Sequence, residues 1–220
     1  MLNPYQSVGF GLRLGTTEAF LVDLPMKPTR FRALVLIVAL SAAVFAVPAD
    51  ADEGEFTLVF PQPSEETEFA NTWGNARSDG RSHQGTDILG PQMAPVVAAA
   101  DGVIDRIGYG PRSGYYIVIS HQDDYQTWYM HLNNDTPGTD DGLGAPEYTY
   151  VVGLEVGDQV EAGQLLGYAG DSGNAEWTTH HTHFELHHNG RIINPYKFLQ
   201  AAWERWLLEL QIEREEVPFR

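Results

Sequence analysis

Short apolar segments, separated by glycine, proline, asparagine and aspartate, dominate residues 69–199. Examples are PVVAAADGVIDRIG, SGYYIVISH, YQTWYMHL, QLLGYAG and THFELHH. Runs of about four to eight residues that are rich in Val, Ile, Tyr and Trp, with frequent turn residues between them, are typical of β-strands. This region contains no long segment with the periodicity of an amphipathic helix. We therefore expect residues 69–199 to form a mainly β domain with an antiparallel sheet as its core.

A helical pattern follows the predicted strands. Asn194 is a candidate N-cap, and Pro195 suits the first helical position. The segment KFLQAAWERWLLELQIEREE then carries an apolar stripe with helical spacing, formed by Leu199, Trp203, Trp206, Leu207 and Leu210. It predicts a C-terminal amphipathic helix, to which we assign residues 200–220. This helix packs on the domain or, alternatively, binds a partner.

The N-terminal region has the pattern of a secretory signal peptide. Arg30 and Arg32 precede an apolar run at residues 33–47, and the small-residue motif A-D-A follows at residues 49–51. The run is shorter than the ~20 residues that a spanning helix needs, so we expect no stable membrane insertion after cleavage. We assign the signal peptide to residues 26–51 and predict a secreted, extracytoplasmic protein of the cell envelope. Our hypothesis is that Met26 is the true initiator and that residues 1–25 are a wrongly assigned extension.

Charge and composition narrow the possible ligands. The formal net charge is −17, which would repel the phosphates of a nucleic acid and argues against nucleic-acid binding. The sequence contains no cysteine and eight histidines, so a metal ion would have to bind to His, Asp or Glu. Residues 52–68 resemble an acidic linker with one strand at residues 56–60. We expect the acidic loop at residues 133–152 to form part of the rim of a substrate groove.

The segment HHTHFEL places two histidines in a predicted strand. Side chains alternate between the two faces of a strand, so His181 and His183 should point the same way. Two neighbouring imidazoles are costly to bury in their charged form, and they suit a site where they are neutral and bind or flank a metal ion. The pair therefore indicates a metal site on one face of the sheet.

The segment SHQGTD adds two further ligand candidates, His83 and Asp87. Gly85 between them suggests a compact turn that leads into a strand. Two histidines and one carboxylate are a standard set of protein ligands for one catalytic Zn²⁺ ion, with the fourth position left to water. The sequence lacks an H-E-x-x-H motif, which excludes the thermolysin-type arrangement.

The three motifs together resemble one family. H-x-x-x-D at His83 and Asp87, Y-x-H-L at His131, and H-x-H-F-E at His181 and His183 are similar in kind and order to the lysostaphin and LytM type of zinc endopeptidase. The segments TWGNARSDGRSHQGTDI, PVVAAADGVI, GYYIVISH, GDQVEAGQLLG and INPYKFL resemble the family as well. The resemblance implies an antiparallel, barrel-sandwich-like β core.

The resemblance also implies roles for the motif residues. His83, Asp87 and His183 correspond to the ligands of one zinc ion, and His131 and His181 to catalytic histidines that contact the attacking water and the tetrahedral intermediate. Which of the two is the general base stays open, as does the oligomeric state. The family cleaves peptide bonds in peptidoglycan stems or cross-bridges. Some of its members have lost the ligands and instead bind and activate cell-wall amidases, so a regulatory binding module is the alternative.

Overall fold

The computed structural model describes residues 56–77 and 80–216. The predicted extension and signal peptide lie outside these residues. The described part contains ten strands, two short 3-10 helices and one α-helix. In chain order they are β1 (Glu68–Phe69), β2 (Thr86–Leu89), β3 (Pro95–Val97), β4 (Gly102–Gly110), β5 (Gly114–Ser120), β6 (Tyr125–Leu132), a 3-10 helix (Pro146–Tyr148), β7 (Gln159–Val160), β8 (Leu165–Tyr168), a 3-10 helix (Gly173–Ala175), β9 (His181–His188), β10 (Arg191–Ile193) and α1 (Tyr196–Glu216). The predicted mainly β fold is confirmed.

The strands form one large and one small antiparallel sheet. The order in the large sheet is β1-β2-β9-β6-β5-β4-β7, and β10 pairs with β9. The small sheet is the pair β3-β8. Because β9 lies between β2 and β6, the three predicted motifs are brought to adjacent strands of one sheet although about 100 residues separate the first from the last in sequence.

Alternation along the strands of the large sheet places the core on one of its faces. Phe184 and Leu186 of β9 and Tyr129 of β6 are fully buried. They belong to one apolar cluster with Val96 and Leu166 from the small sheet. Burial of apolar surface between the two sheets stabilises the fold and leaves the opposite face of β9 to polar side chains.

The helix α1 begins at Tyr196, whose amide N–H donates to Oδ1 of the predicted N-cap Asn194 at 3.0 Å. The boundary expected at residue 200 therefore lies inside the helix. Leu199 is fully buried, and the ring of Trp203 lies 4.7 Å from that of Phe60. Packing on the domain is thus observed for the first half of α1. Within residues 56–77 and 80–216, no helix has both the length and the apolar character needed to cross a membrane.

Part of the segment expected to be a linker packs into the domain instead. Leu58 and Phe60 are buried in the apolar cluster, and the amide N–H of Val59 donates to the carbonyl of Ala99. The strand predicted at residues 56–60 does not form. The alternating apolar residues in this segment reflect irregular chain that covers the core rather than a paired strand.

Candidate metal centre and active site

Pairing of β2 with β9 places Asp87 directly opposite His183. The loop before β2 supplies His83, which is buried. His83 Nε2 lies 3.1 Å from Asp87 Oδ1 and 3.0 Å from His183 Nδ1, and His183 Nδ1 lies 2.8 Å from Asp87 Oδ1. The structure therefore brings together the three residues that the sequence predicts as metal ligands.

These three atoms have the spacing of ligands around one small cation. Bonds of about 2.1 Å from zinc to nitrogen or oxygen give a tetrahedron with edges of about 3.4 Å. The observed edges of 2.8–3.1 Å are slightly shorter. Two imidazole nitrogens and one carboxylate oxygen are also a donor set that zinc accepts. The residues fit a zinc ion in both chemistry and spacing.

Hydrogen bonds on the far side of each ligand select the atom that faces the site. His83 Nδ1 lies 3.1 Å from the carbonyl oxygen of Thr72, to which only a protonated nitrogen can donate. His183 Nε2 in the same way lies 3.3 Å from Oε1 of Glu185. With an ion bound, both imidazoles would thus direct an unprotonated nitrogen toward the ligand triangle. Arg77 donates to the second oxygen of Asp87 at 2.5 Å and fixes the carboxylate.

The electrostatics keep Asp87 in its ligating form. Burial alone would raise the pKa of this carboxyl group, but hydrogen bonds from His183 and His83 outweigh it and hold the pKa far below its usual range. Burial alone would lower the pKa of His183, whereas its bonds to Asp87 and Glu185 raise it on balance. A negative charge therefore persists at the site over the physiological pH range.

A β-bulge directs His131 into the site. Regular alternation along β6 would place this residue on the core face with Tyr129. The register of β6 against β5 shifts by one residue here, and His131 has a φ of 60°. As a result its ring lies 5.0 Å from that of His181 and 5.9 Å from that of His183, between centroids. Bulges and left-handed conformations at non-glycine residues recur at active sites, where they redirect a side chain.

The two remaining histidines have similar environments. His131 Nδ1 donates to the carbonyl of Ser172 at 2.8 Å, and His181 Nδ1 donates to the carbonyl of Thr179 at 2.7 Å. Both rings consequently keep Nε2 as an acceptor while neutral. His181 Nε2 lies 3.9 Å from Asp87 Oδ1, beside the ligand triangle.

Burial disfavours the charged form of both rings. Burial and the neighbouring imidazoles of His181 and His183 lower the pKa of His131 to about 3. Burial also lowers the pKa of His181, although its hydrogen bond to Thr179 and the charge of Asp87 oppose the shift. Both rings are neutral proton acceptors at pH 7, and the charge of Asp87 opposes the lowering of the pKa in both.

An open cleft of about 820 Å³ surrounds these residues. All five predicted site residues line it, and so do Arg77, Arg81 and Arg112. No residue of the 133–152 loop lines the cleft as the described residues form it. The rim role expected for that loop stays a prediction. The cleft brings positive side chains together in a chain with a net charge of −17.

The sequence motifs do not identify Thr72, Arg77 or Glu185, which hold the three ligands. Glu185 had a usable signal: it lies two residues after His183 in a strand, so it had to share the face of that ligand. His121 has structural partners, because its two ring nitrogens lie 2.8 Å from the Asp101 carbonyl and 2.7 Å from the Thr127 hydroxyl.

Known proteins share this arrangement of sequence and fold. The sequence profile of peptidase family M23 matches residues 81–140 and 147–195. A peptidoglycan DD-endopeptidase of Vibrio cholerae is 31% identical over 115 residues, which are 52% of this chain and 22% of that protein. The L-Ala–D-Glu endopeptidase of Bacillus subtilis is 30% identical over 174 residues, 74% of this chain and 48% of that protein.

A solved structure with the same fold is that of a putative glycyl-glycine endopeptidase from Ruminococcus gnavus. It is 30% identical, has a TM-score of 0.51, and the match covers 66% of this chain and 60% of that one. The chain spans between about a fifth and a half of the length of the curated relatives it matches. The resemblance to lysostaphin and LytM-type enzymes is confirmed, and the chain belongs to peptidase family M23.

Proposed function

We propose that this chain is a secreted zinc metalloendopeptidase that hydrolyses peptide bonds in peptidoglycan. The observation that carries the proposal is the ligand triangle of His83, Asp87 and His183, with the acceptor nitrogens of His131 and His181 beside it. Relatives named as peptidoglycan endopeptidases support this substrate. The predicted signal peptide at residues 26–51 supports a location outside the cytoplasm, where peptidoglycan is found.

The donor set supports zinc as the resident ion. When bound, zinc supplies Lewis acidity, which polarises the scissile carbonyl and lowers the pKa of a water molecule to about 7. His83, Asp87 and His183 would hold the ion, and hydrogen bonds of these ligands with Thr72, Arg77 and Glu185 keep them in place.

In this proposal His181 is the general base. Its Nε2 accepts the proton of the attacking water, and the imidazolium that forms is stabilised by Asp87, whose Oδ1 lies 3.9 Å away. The same nitrogen then returns the proton to the leaving amine. His131 stays neutral because of its low pKa, so it orients water or a substrate N–H through an acceptor nitrogen rather than stabilising an oxyanion by charge.

The charge of the cleft supports a substrate that carries carboxylates. Arg81 and Arg112 line the cleft in a strongly acidic chain, whereas Arg77, which also lines it, is paired with Asp87. Positive side chains in a cleft attract and orient anionic substrates. The relatives are named for different bonds, so the bond cleaved here has to be measured.

The alternative is an inactive module that binds and activates cell-wall amidases. The presence of all five motif residues in one cleft favours the enzyme. The test is to incubate purified residues 50–220 with several peptidoglycans and to identify released peptides by mass spectrometry. We expect new amine and carboxyl termini that disappear with a chelator and return with zinc. If the protein retains zinc but releases no peptide from any of the peptidoglycans, the regulatory module is favoured.

A further inference from the structure

A second group of ligand-type side chains lies outside the candidate active site. It consists of Asp135 in the loop after β6, Asp171 in the connection after β8, and His180 just before β9. One donor atom from each lies within 4.8 Å of the other two. The mechanism proposed above uses none of these residues.

The two carboxylates are buried and incompletely hydrogen-bonded. Asp135 and Asp171 are both 0% exposed. Asp135 Oδ1 accepts from the amide of Gly142 at 2.7 Å, and Asp171 Oδ2 accepts from the amide of Trp177 at 3.1 Å. Among the described residues, Asp135 Oδ2, Asp171 Oδ1 and His180 Nε2 have no hydrogen-bond partner although all three atoms are buried.

Such an arrangement is costly unless something compensates for it. Buried carboxylates normally pair with a cation, bind a metal or take up a proton, and unpartnered buried polar atoms are rare in native proteins. Burial, followed by the nearby carboxylates of Asp135 and Glu176, raises the pKa of Asp171 to about 6 despite the opposing effect of His180. The cluster therefore has an excess of negative charge and acceptor atoms.

We propose that Asp135, Asp171 and His180 form a second site for a divalent metal ion, of the class that accepts mixed nitrogen and oxygen donors, with zinc as the best match. Calcium and magnesium prefer oxygen ligands alone, whereas an imidazole with carboxylates suits zinc and similar transition metals. The unpartnered atoms are one nitrogen and two oxygens, which matches that preference.

The position of the cluster gives the second ion a structural role. Asp171 lies between Gly170, whose amide donates to the carbonyl of His131 at 3.1 Å, and Ser172, whose carbonyl accepts from the His131 ring at 2.8 Å. His180 immediately precedes His181. An ion at this site would connect the 133–152 loop to both segments that position the proposed catalytic histidines.

The test counts zinc in the full chain after dialysis against metal-free buffer. We expect two equivalents for the wild type, one for His183→Ala and one for Asp171→Asn, which keeps the size of the side chain but removes its charge. Asp105→Asn, at an exposed position on β4, is the matched control and should keep two. If Asp171→Asn does not fold, His180→Gln serves in its place, with folding checked by circular dichroism.

A wild type that binds one equivalent of zinc would overturn the proposal. It would indicate that Asp135 and Asp171 share a proton instead of binding a metal ion. Two equivalents in both Asp171→Asn and His180→Gln would overturn it as well, and so would tight calcium binding in place of zinc. The result is independent of the proposed activity, because His183→Ala removes the first site and leaves the second to be counted alone.

Discussion

Glu185 determines which nitrogen of His183 faces the candidate metal site. Its Oε1 lies 3.3 Å from His183 Nε2, and Oε2 accepts from His187 Nε2 at 2.7 Å. Bonds to both histidines lower the pKa of this carboxyl group to about 2 although burial opposes the shift. A charged acceptor thus fixes the tautomer of His183 and makes its Nδ1 a better donor to a cation.

Glu185→Gln should therefore weaken zinc binding without removing any ligand. We expect a loss of affinity of about 10-fold to 100-fold, the usual effect of removing a partner of a metal-bound histidine. Competition with a chromogenic chelator measures it. Glu161→Gln, at an exposed position, is the control and should keep the wild-type affinity. Equal affinities in the two variants would show that Glu185 does not orient His183.

Gly85→Ala should displace the ligand His183 by steric contact. A Cβ at this position would lie 2.7 Å from His183 Nε2 and 2.5 Å from the carbonyl oxygen of Phe184, so the ring has to move. We expect zinc affinity to fall at least about 10-fold. Gly153→Ala is a stringent control, because its φ of 87° adds backbone strain while no atom lies within 4 Å of the new Cβ. Unchanged zinc affinity in Gly85→Ala would contradict the close packing described.

Arg112→Gln should weaken substrate binding more than turnover. If the cleft binds a peptide with carboxylates, removing this exposed charge costs about 1 kcal/mol of binding free energy. KM then rises about fivefold and kcat is unchanged. Added salt should reduce the difference between wild type and variant. Arg191→Gln, an exposed charge outside the cleft, provides the comparison. An unchanged KM in Arg112→Gln would argue against a substrate carboxylate next to Arg112.

The low pKa of His131 makes the metal-free protein sensitive to acid. The unfolded chain binds a proton on this ring below about pH 6.5, whereas the folded protein does so only near pH 3. The stability from this residue is therefore present above pH 6.5 and is lost as the pH falls toward 3. Between pH 6.5 and 5, chelated wild type should lose about 2 kcal/mol more than His131→Gln in urea unfolding. Equal losses would mean that His131 is protonated in the folded protein.

Local patterns predicted most of the strands and the helix cap, and together with the family resemblance they singled out as candidates the five residues that the structure brings to one cleft. Alternation put His181 and His183 on one face, and the order of the motifs indicated the family. The pairing of β2 with β9, which sets Asp87 opposite His183, follows from the fold as a whole.

Features that depend on tertiary contacts were not predictable in this way. The bulge at His131 reverses the face that alternation assigns to it. Asp135 belongs to a loop whose polar sequence gives no sign of burial, yet the folded chain buries Asp135 beside Asp171. Burial of Leu58 and Phe60 likewise depends on a surface that distant strands create.

In the proposed mechanism three residues hold zinc while His181 transfers the proton. Zinc content and peptidoglycan cleavage, measured in parallel for wild type, His183→Ala and His181→Ala, separate these two roles. We expect His183→Ala to lose the active-site zinc and activity together, and His181→Ala to keep wild-type zinc while its turnover falls about 10²-fold to 10⁴-fold. Full activity in His181→Ala would exclude His181 as the general base, and cleavage that persists in His183→Ala after chelation would exclude the zinc site as the active site.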